Sequence, residues 1–336
     1  MEGTKKVSVI LPTYNRANYL IESLESLLAQ TYPNIEIVVV NDGSTDETKD
    51  KLGAFRDRIL YLEKSNGGKS SAINLGLRYA TGDYVWVFDD DDIALPDMVE
   101  SHVSLFEKNP EIGFVYSGYT CFEGEEVEQV TRTVAPVCYP EGKMLAKLLM
   151  ENFIGGVTVI VRRRCYDCVG CYDERLIRSQ DYDMWIRLVR AGFRAGVVER
   201  PTVKVRLHGG QRGAAQDRFD VSQQNERYRW YHRIIVQKVY WEVPLGAVLP
   251  DQAEAFEEPK RLLVALLHRA WMVANTMLTE ETVRDLHLVQ DHLVRHPGLA
   301  LSENQRGFLS ALHTYALEKG HPEMAAISES LLQPRT

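Results

Sequence analysis

Between Val7 and Phe88 short apolar runs alternate with amphipathic ones, and this alternation limits the possible folds more than any other feature. VSVIL (7–11), IEIVVV (35–40), RILYL (58–62) and DYVWVF (83–88) read as strands. Ala17 to Gln30 places Leu20, Ile21, Leu24, Leu27 and Leu28 on one helical face, and Lys69 to Ala80 does the same with Ala72, Ile73, Leu75 and Leu77. Strands separated by helices call for parallel pairing, hence an α/β sheet covered by helices. Ligands of such sheets bind beyond the carboxyl ends of the strands. Three loops fall there: Pro12–Arg16, Asn41–Asp46 and Asp89–Asp92.

From Pro96 to Arg206 the pattern is mixed. Helices are expected over 97–108 and 180–191, strands over 114–122 and 157–161, and an extended run up to His208. After about Ala215 the helical period dominates. Leu262, Leu263, Leu266 and Trp271 form one stripe, Leu286, Val289 and Leu293 another, and Phe308, Leu309, Leu312 and Ala316 a third. These stripes read as helix-packing faces. The expected division is 1–214 for the sheet domain and 215–336 for a helical region.

The chain of 336 residues carries a net charge of -8, which argues against a nucleic-acid partner. The apolar run after the first lysines stops at Pro12, too short for a signal core, and no run approaches the ~20 residues of a membrane span. A cytoplasmic protein is expected, with peripheral contact at the inner membrane face left open. The five cysteines are odd in number, so a disulfide framework is not expected. Cys165, Cys168 and Cys171 lack the paired spacing of structural zinc and read as ordinary small residues.

Asp89, Asp90, Asp91 and Asp92 follow a strand directly. They fit either a solvated turn before the helix after Pro96, or a cation site. Carboxylate oxygens suit Mg²⁺ or Mn²⁺, which combine one or two carboxylates with substrate phosphates. The buried strand behind them and the two neighbouring loops favour the cation. GGKS (67–70) imitates the end of a phosphate-binding P-loop, but the first glycine of that motif is replaced by Glu63.

VSVILPTYNRANYL, VVVNDGSTDET, NGGKSSAINLG, FDDDDIALPD and SQDYDMWIRL stand in the order and spacing of the family-two glycosyltransferases of the GT-A fold. The resemblance covers about Lys5 to His208. It implies a Rossmann-like mixed sheet flanked by helices and a metal-dependent, inverting transfer from a UDP-sugar to a hydroxyl acceptor. Pro12, Thr13, Tyr14 and Arg16 would belong to the nucleotide pocket, with Tyr14 stacking on the base and Asp42 accepting from it. Asn66, Lys69 and Asn74 would lie near the nucleotide sugar; the family's frequent Arg is replaced by Ile73, and Lys69 supplies a cation. Asp89 and Asp90 would belong to the donor site, one of them reaching the ribose, Asp91 would hold Mn²⁺ or Mg²⁺, and Asp92 would support the turn. Asp181 matches the base that takes the acceptor proton, with Asp183 as runner-up; Gln180 stands where the family usually has Glu. His208 matches a further metal ligand, its following glycines read as a closing loop, and Arg206 and Arg212 would assist at the phosphates.

The resemblance implies a role in surface-polysaccharide or glycoconjugate assembly. The helical tail is expected to shape the acceptor side, to form an oligomer or to dock at a membrane. Two rivals stand beside this reading: a sugar-phosphate nucleotidyltransferase and a non-catalytic nucleotide-sugar scaffold.

Overall fold

The computed structural model describes residues 4–140, 142–207, 224–249 and 256–334. Two compact units divide the chain, one of residues 1–141 and 152–221, the other of 142–151 and 222–336. The boundary expected at 214/215 lies outside the described residues.

In the first unit the elements run β1 (Val7–Thr13), α1 (Ala17–Leu28), β2 (Ile35–Asn41), α2 (Thr48–Lys51), β3 (Leu60–Glu63), α3 (Lys69–Tyr79), β4 (Tyr84–Val87), β5 (Ile93–Ala94), α4 (Met98–Lys108), β6 (Ile112–Glu123) and β7 (Val130–Val134). After α5 (Met144–Met150), which belongs to the second unit, come β8 (Ile160–Arg162), α6 (Arg163–Val169), α7 (Gln180–Arg190) and β9 (Arg194–Leu207). The sheet order is β3-β2-β1-β4-β8-β6-β9-β5, with β7 on β6.

The expected parallel half is present. β1 pairs with β2 and β4 in parallel, and β2 pairs with β3. Every residue of β1 is buried, as a central strand with both faces covered requires. Beyond β4 the sheet becomes mixed: β8 is antiparallel to both β4 and β6, and β5 is antiparallel to β9. The strand expected over 157–161 starts late. Residues Gly156–Thr158 form a short 3₁₀ turn, and β8 follows it. The Thr158 N–H donates to Gly155 O at 3.0 Å, which closes the turn before extension begins.

Packing on the sheet follows the stripes. α1 buries Ala17, Leu20, Leu24 and Leu27, and α4 buries Met98, Val99, Val103 and Phe106. All of these except Ala17 join Val9, Leu11, Val39, Trp86 and Phe88 in one core. Each such aliphatic or aromatic side chain contributes about 1.5–3 kcal/mol on burial.

The second unit adds α8 (Gln224–Val239), α9 (Lys260–Asn275), α10 (Thr279–Arg295), α11 (Glu303–Lys319) and α12 (Pro322–Leu332). Leu263, Leu266, Leu286, Val289, Leu293, Leu309, Leu312 and Leu331 form its core. α11 opens on a capping box in which Ser302 and Gln305 exchange hydrogen bonds, and α12 opens on Pro322, where a missing N–H costs nothing. No helix among the described residues is long and apolar enough to cross a membrane.

Candidate active site

The parallel register puts the carboxyl ends of β1, β2 and β3 level, with Thr13 opposite Asn41 and Asn41 opposite Glu63. Phe88 N–H donates to Ile10 O at 2.9 Å, so the chain leaving β4 enters the same edge. Side chains then lock the loops together. Asn15, at φ 51°, accepts from the Thr45 N–H at 2.8 Å, and its own N–H donates to Ser44 Oγ at 2.9 Å. Asp46 accepts from the Ala17 N–H at 3.1 Å and so caps α1 from another loop. Tyr14 projects from this frame at 39% exposure, while Pro12 and Thr13 are buried in the strand end.

Asp42, expected to accept from the base, is largely engaged within the chain. Its carboxylate accepts from Lys64 Nζ at 2.7 Å, the Gly67 N–H at 3.0 Å and the Gly68 N–H at 2.8 Å. Three of roughly four acceptor positions are thereby engaged within the chain. Asn66 Nδ2 donates to Asp42 O at 3.0 Å. Asp42 thus shapes the 64–68 loop, leaving at most one lone pair for a base. Gly43 is required by the same close approach: at φ 78° a Cβ would lie 2.8 Å from Asn66 N. Asn74 is likewise committed. It is buried and exchanges hydrogen bonds with the Tyr172 backbone at 2.9 Å in both directions, and also donates to Glu174. Asn74 joins α3 to the segment before α7 instead of facing the loops.

The acidic turn is the electrostatic centre. Asp89, Asp91 and Asp92 bring ligand oxygens within 4.8 Å of one another. Among the described residues this is the group of His, Cys, Asp or Glu atoms that suits a metal, and three hard oxygen donors fit Mg²⁺ or Mn²⁺. Asp89, expected at the ribose, and Asp92, expected to support the turn, thus lie beside Asp91, the residue expected to hold the metal. Lys69 Nζ pairs with Asp89, and Arg16 Nη1 pairs with Asp91 at 2.7 Å. Asp90 is turned inward, and burial next to Asp91 pushes its carboxyl up to about 7, against the pull of Arg16 and the Thr13 hydroxyl. Burial, with Asp91 and Asp89 beside it, also raises Asp92 well above the carboxylate range.

Arg206 holds this turn from behind. Its side chain is buried, its Nε donates to Asp91 O at 2.9 Å, and its N–H donates to Asp92 Oδ1 at 2.9 Å. The guanidinium also bonds Gly124 O and Glu22, and lies over the rings of Tyr19 and Phe122. It is a structural brace, and the phosphate role expected of it does not hold. His208 and Arg212 lie outside the described residues.

Asp181 and Asp183 sit in the first turn of α7, after Ser179 at φ 56°. Asp183 is buried and paired with Arg187 at 2.9 Å, and Arg187 also donates to Val169 O and Cys171 O. That pairing argues against Asp183 as the base. Asp181 is raised by burial, opposed by Lys69 and reinforced by Asp89. Burial works against the charge on Lys69, yet Asp89, Asp181 and Asp91 raise its pKa overall. One ammonium thus feels both the acidic turn and the carboxylate on α7. Gln180 beside it is buried, and its Oε1 has no hydrogen-bond partner. Cys165 is buried with Sγ toward Gly113 O at 3.4 Å, whereas Cys168 and Cys171 are at the surface.

Residues 8–170 match the family described as Glycosyl transferase family 2. An uncharacterized glycosyltransferase of Haemophilus influenzae is 32% identical over 309 residues, covering 87% of this chain and 93% of that one. Against uncharacterized glycosyltransferases of several Rickettsia species the match runs at 35–37% identity and covers 55–61% of this chain, but the chain spans only between 27% and 65% of their length. Among solved structures, S. aureus TarS 1–349 in complex with UDP-GlcNAc superposes with a TM-score of 0.57 at 17% identity, covering 97% of this chain and 91% of that one. The mannosyltransferase PcManGT from Pyrobaculum calidifontis, in complex with GDP-Man and Mn²⁺, gives 0.54 at 18% identity, covering 98% of this chain and 86% of that one. At such identities these likenesses concern the fold.

Proposed function

The chain belongs to glycosyl transferase family 2, and on that premise we propose that it moves a sugar from a UDP-sugar to a hydroxyl acceptor with inversion at the anomeric carbon. It is a glycosyltransferase with the GT-A fold, a mixed sheet with flanking helices. The observation that carries the finer reading is Lys69, whose ammonium pairs with Asp89 of the acidic turn while the charge of Asp181 also favours it. A donor diphosphate needs cations, an attacking hydroxyl needs a base, and here the two requirements meet within reach of one side chain.

Each residue then has a task. Tyr14 offers an exposed ring to the base, and Arg16 and Lys69 can turn from Asp91 and Asp89 toward phosphate oxygens. Asp89, Asp91 and Asp92 would hold the divalent cation, which when bound offsets charge on the departing diphosphate. Asp181 takes the proton from the acceptor hydroxyl as its oxygen bonds to the anomeric carbon, and the electrons of the broken carbon–oxygen bond leave on UDP. The raised pKa of Asp181 makes it a better proton acceptor than an ordinary aspartate. A cation-bound neighbour and a UDP-GlcNAc-bound neighbour of the same fold support this reading.

Calorimetric titration of UDP with and without Mn²⁺ tests it. Binding that tightens at least tenfold with Mn²⁺ is the expected result. UDP binding indifferent to Mn²⁺ and EDTA would remove the cation but keep the donor. No binding in either condition would put the non-catalytic scaffold in its place.

A further inference from the structure

The carboxylate of Asp181 rests against bare backbone. A Cβ added at Gly156 would lie 2.7 Å from Asp181 Oδ2, 3.3 Å from Cγ and 3.4 Å from Cβ. The turn that offers this surface is fixed from the sheet side. Trp86 Nε1 donates to Val157 O at 2.7 Å, His102 Nε2 lies 3.0 Å from Thr158 O, and both rings are fully buried. Thr158 closes the turn on Gly155 O through its N–H and its hydroxyl. Gly156 is not among the glycines at positive φ, so its backbone accepts any L-residue. What demands glycine there is the carboxylate alone.

We propose that Gly156 is a positioning residue for Asp181: the turn it opens is a rigid shelf whose missing side chain lets the carboxylate lie directly against its backbone. The proposal rests on the reading of Asp181 as the base. A methyl group on the shelf forces the carboxylate away, because Trp86 and His102 hold the turn in place. A displacement of about 1 Å in a reacting group costs on the order of 100-fold in rate.

The test is a double-mutant cycle on the full chain with Gly156→Ala and Asp181→Asn, alone and together. The probe is UDP release, with water as acceptor, from UDP-glucose, UDP-galactose or UDP-N-acetylglucosamine, whichever the wild type cleaves fastest. Gly156→Ala should lower kcat about 30- to 100-fold, with KM for the donor and UDP affinity within about twofold of wild type. In the Asp181→Asn background the same change should alter the residual kcat by less than about threefold. A crystal structure of Gly156→Ala should show Asp181 Oδ2 displaced and the 155–158 turn unmoved. Wild-type kcat in Gly156→Ala beside a crippled Asp181→Asn would overturn the proposal alone. So would an equal loss in both backgrounds, or a turn that moves while the carboxylate stays. Near-normal turnover in Asp181→Asn would remove the base itself, and the shelf with it.

Discussion

The two units handle buried carboxylates in opposite ways. In the helical unit Asp285 is fully buried and fully matched: Arg269 contacts it through Nε and Nη2, and Tyr240 donates its hydroxyl at 2.9 Å. One negative charge meets one guanidinium and one phenol. In the sheet unit four consecutive aspartates share a turn, and the ion pairs found there take Asp89 and Asp91. Burial raises Asp285 as well, against the pull of Arg269 and Tyr240, but at Asp90 and Asp92 neighbouring aspartates add to the rise. A balanced cluster serves the fold; a surplus of buried negative charge is what the proposed cation site would need.

Stability measurements test that contrast, and the largest effect belongs to the balanced side. Asp285→Ala should cost about 3–5 kcal/mol in denaturant unfolding, because it leaves the Arg269 charge buried and unpaired. A loss under about 1 kcal/mol would mean that the helical unit does not depend on the match.

The next effect is a pH dependence seated in the sheet unit but away from the turn. His102 is fully buried with its two ring nitrogens 2.8 and 3.0 Å from the carbonyls of Met98 and Thr158, and burial pushes it down to about 4. In the unfolded chain it titrates near about 6.5. Between those values the unfolded state binds the extra proton, so this contribution is complete above about pH 6.5 and declines as pH falls toward 4. A shift of this size corresponds to about 3 kcal/mol. His102→Gln should flatten that part of the stability–pH curve. The opposite slope in the wild type would mean that the ring is held as a cation between the two carbonyls.

The smallest effect runs against the usual direction of mutation. Asp90→Asn removes surplus buried charge and should stabilise the metal-free protein at about pH 8 by about 1–2 kcal/mol, seen as a Tm higher by a few degrees. Destabilisation by that substitution would place Asp90 among matched groups like Asp285 and erase the contrast between the units.

Much of this architecture is legible in the order of the residues, for a physical reason. β1, β2, α1, α3 and α7 carry their own periodicity, so local sequence states both their type and their buried face. β5 has only the residues Ile93–Ala94 and exists because β9 pairs with it; two residues have no period to read. The site divides along the same line. The acidic turn, Tyr14 and Asp181 announce themselves by residue type and by place after a strand or at a helix start. The commitments of Asp42 to Gly67 and Gly68, of Asn74 to Tyr172 and of Arg206 to the acidic turn depend on partners far along the chain. Spacing alone carries no signal for them. The pairing of Asp183 with Arg187 is the exception, since an acid four residues before a base on a helix is a local pattern that argues against Asp183 as the base.

The brace at Arg206 also has a consequence for synthesis. Asp92 and the Arg206 N–H that steadies it are 114 residues apart. Contacts of such separation form late, after the loop between them has closed. A nascent chain that has emerged through Leu188 already owns β1 to β4, α3 and α7, and Arg16, Ser23 and Lys69 can already hold its acidic turn, but the Arg206 brace is still missing. The ribosome therefore makes the strands that carry the acidic turn first and the arginine that steadies it last.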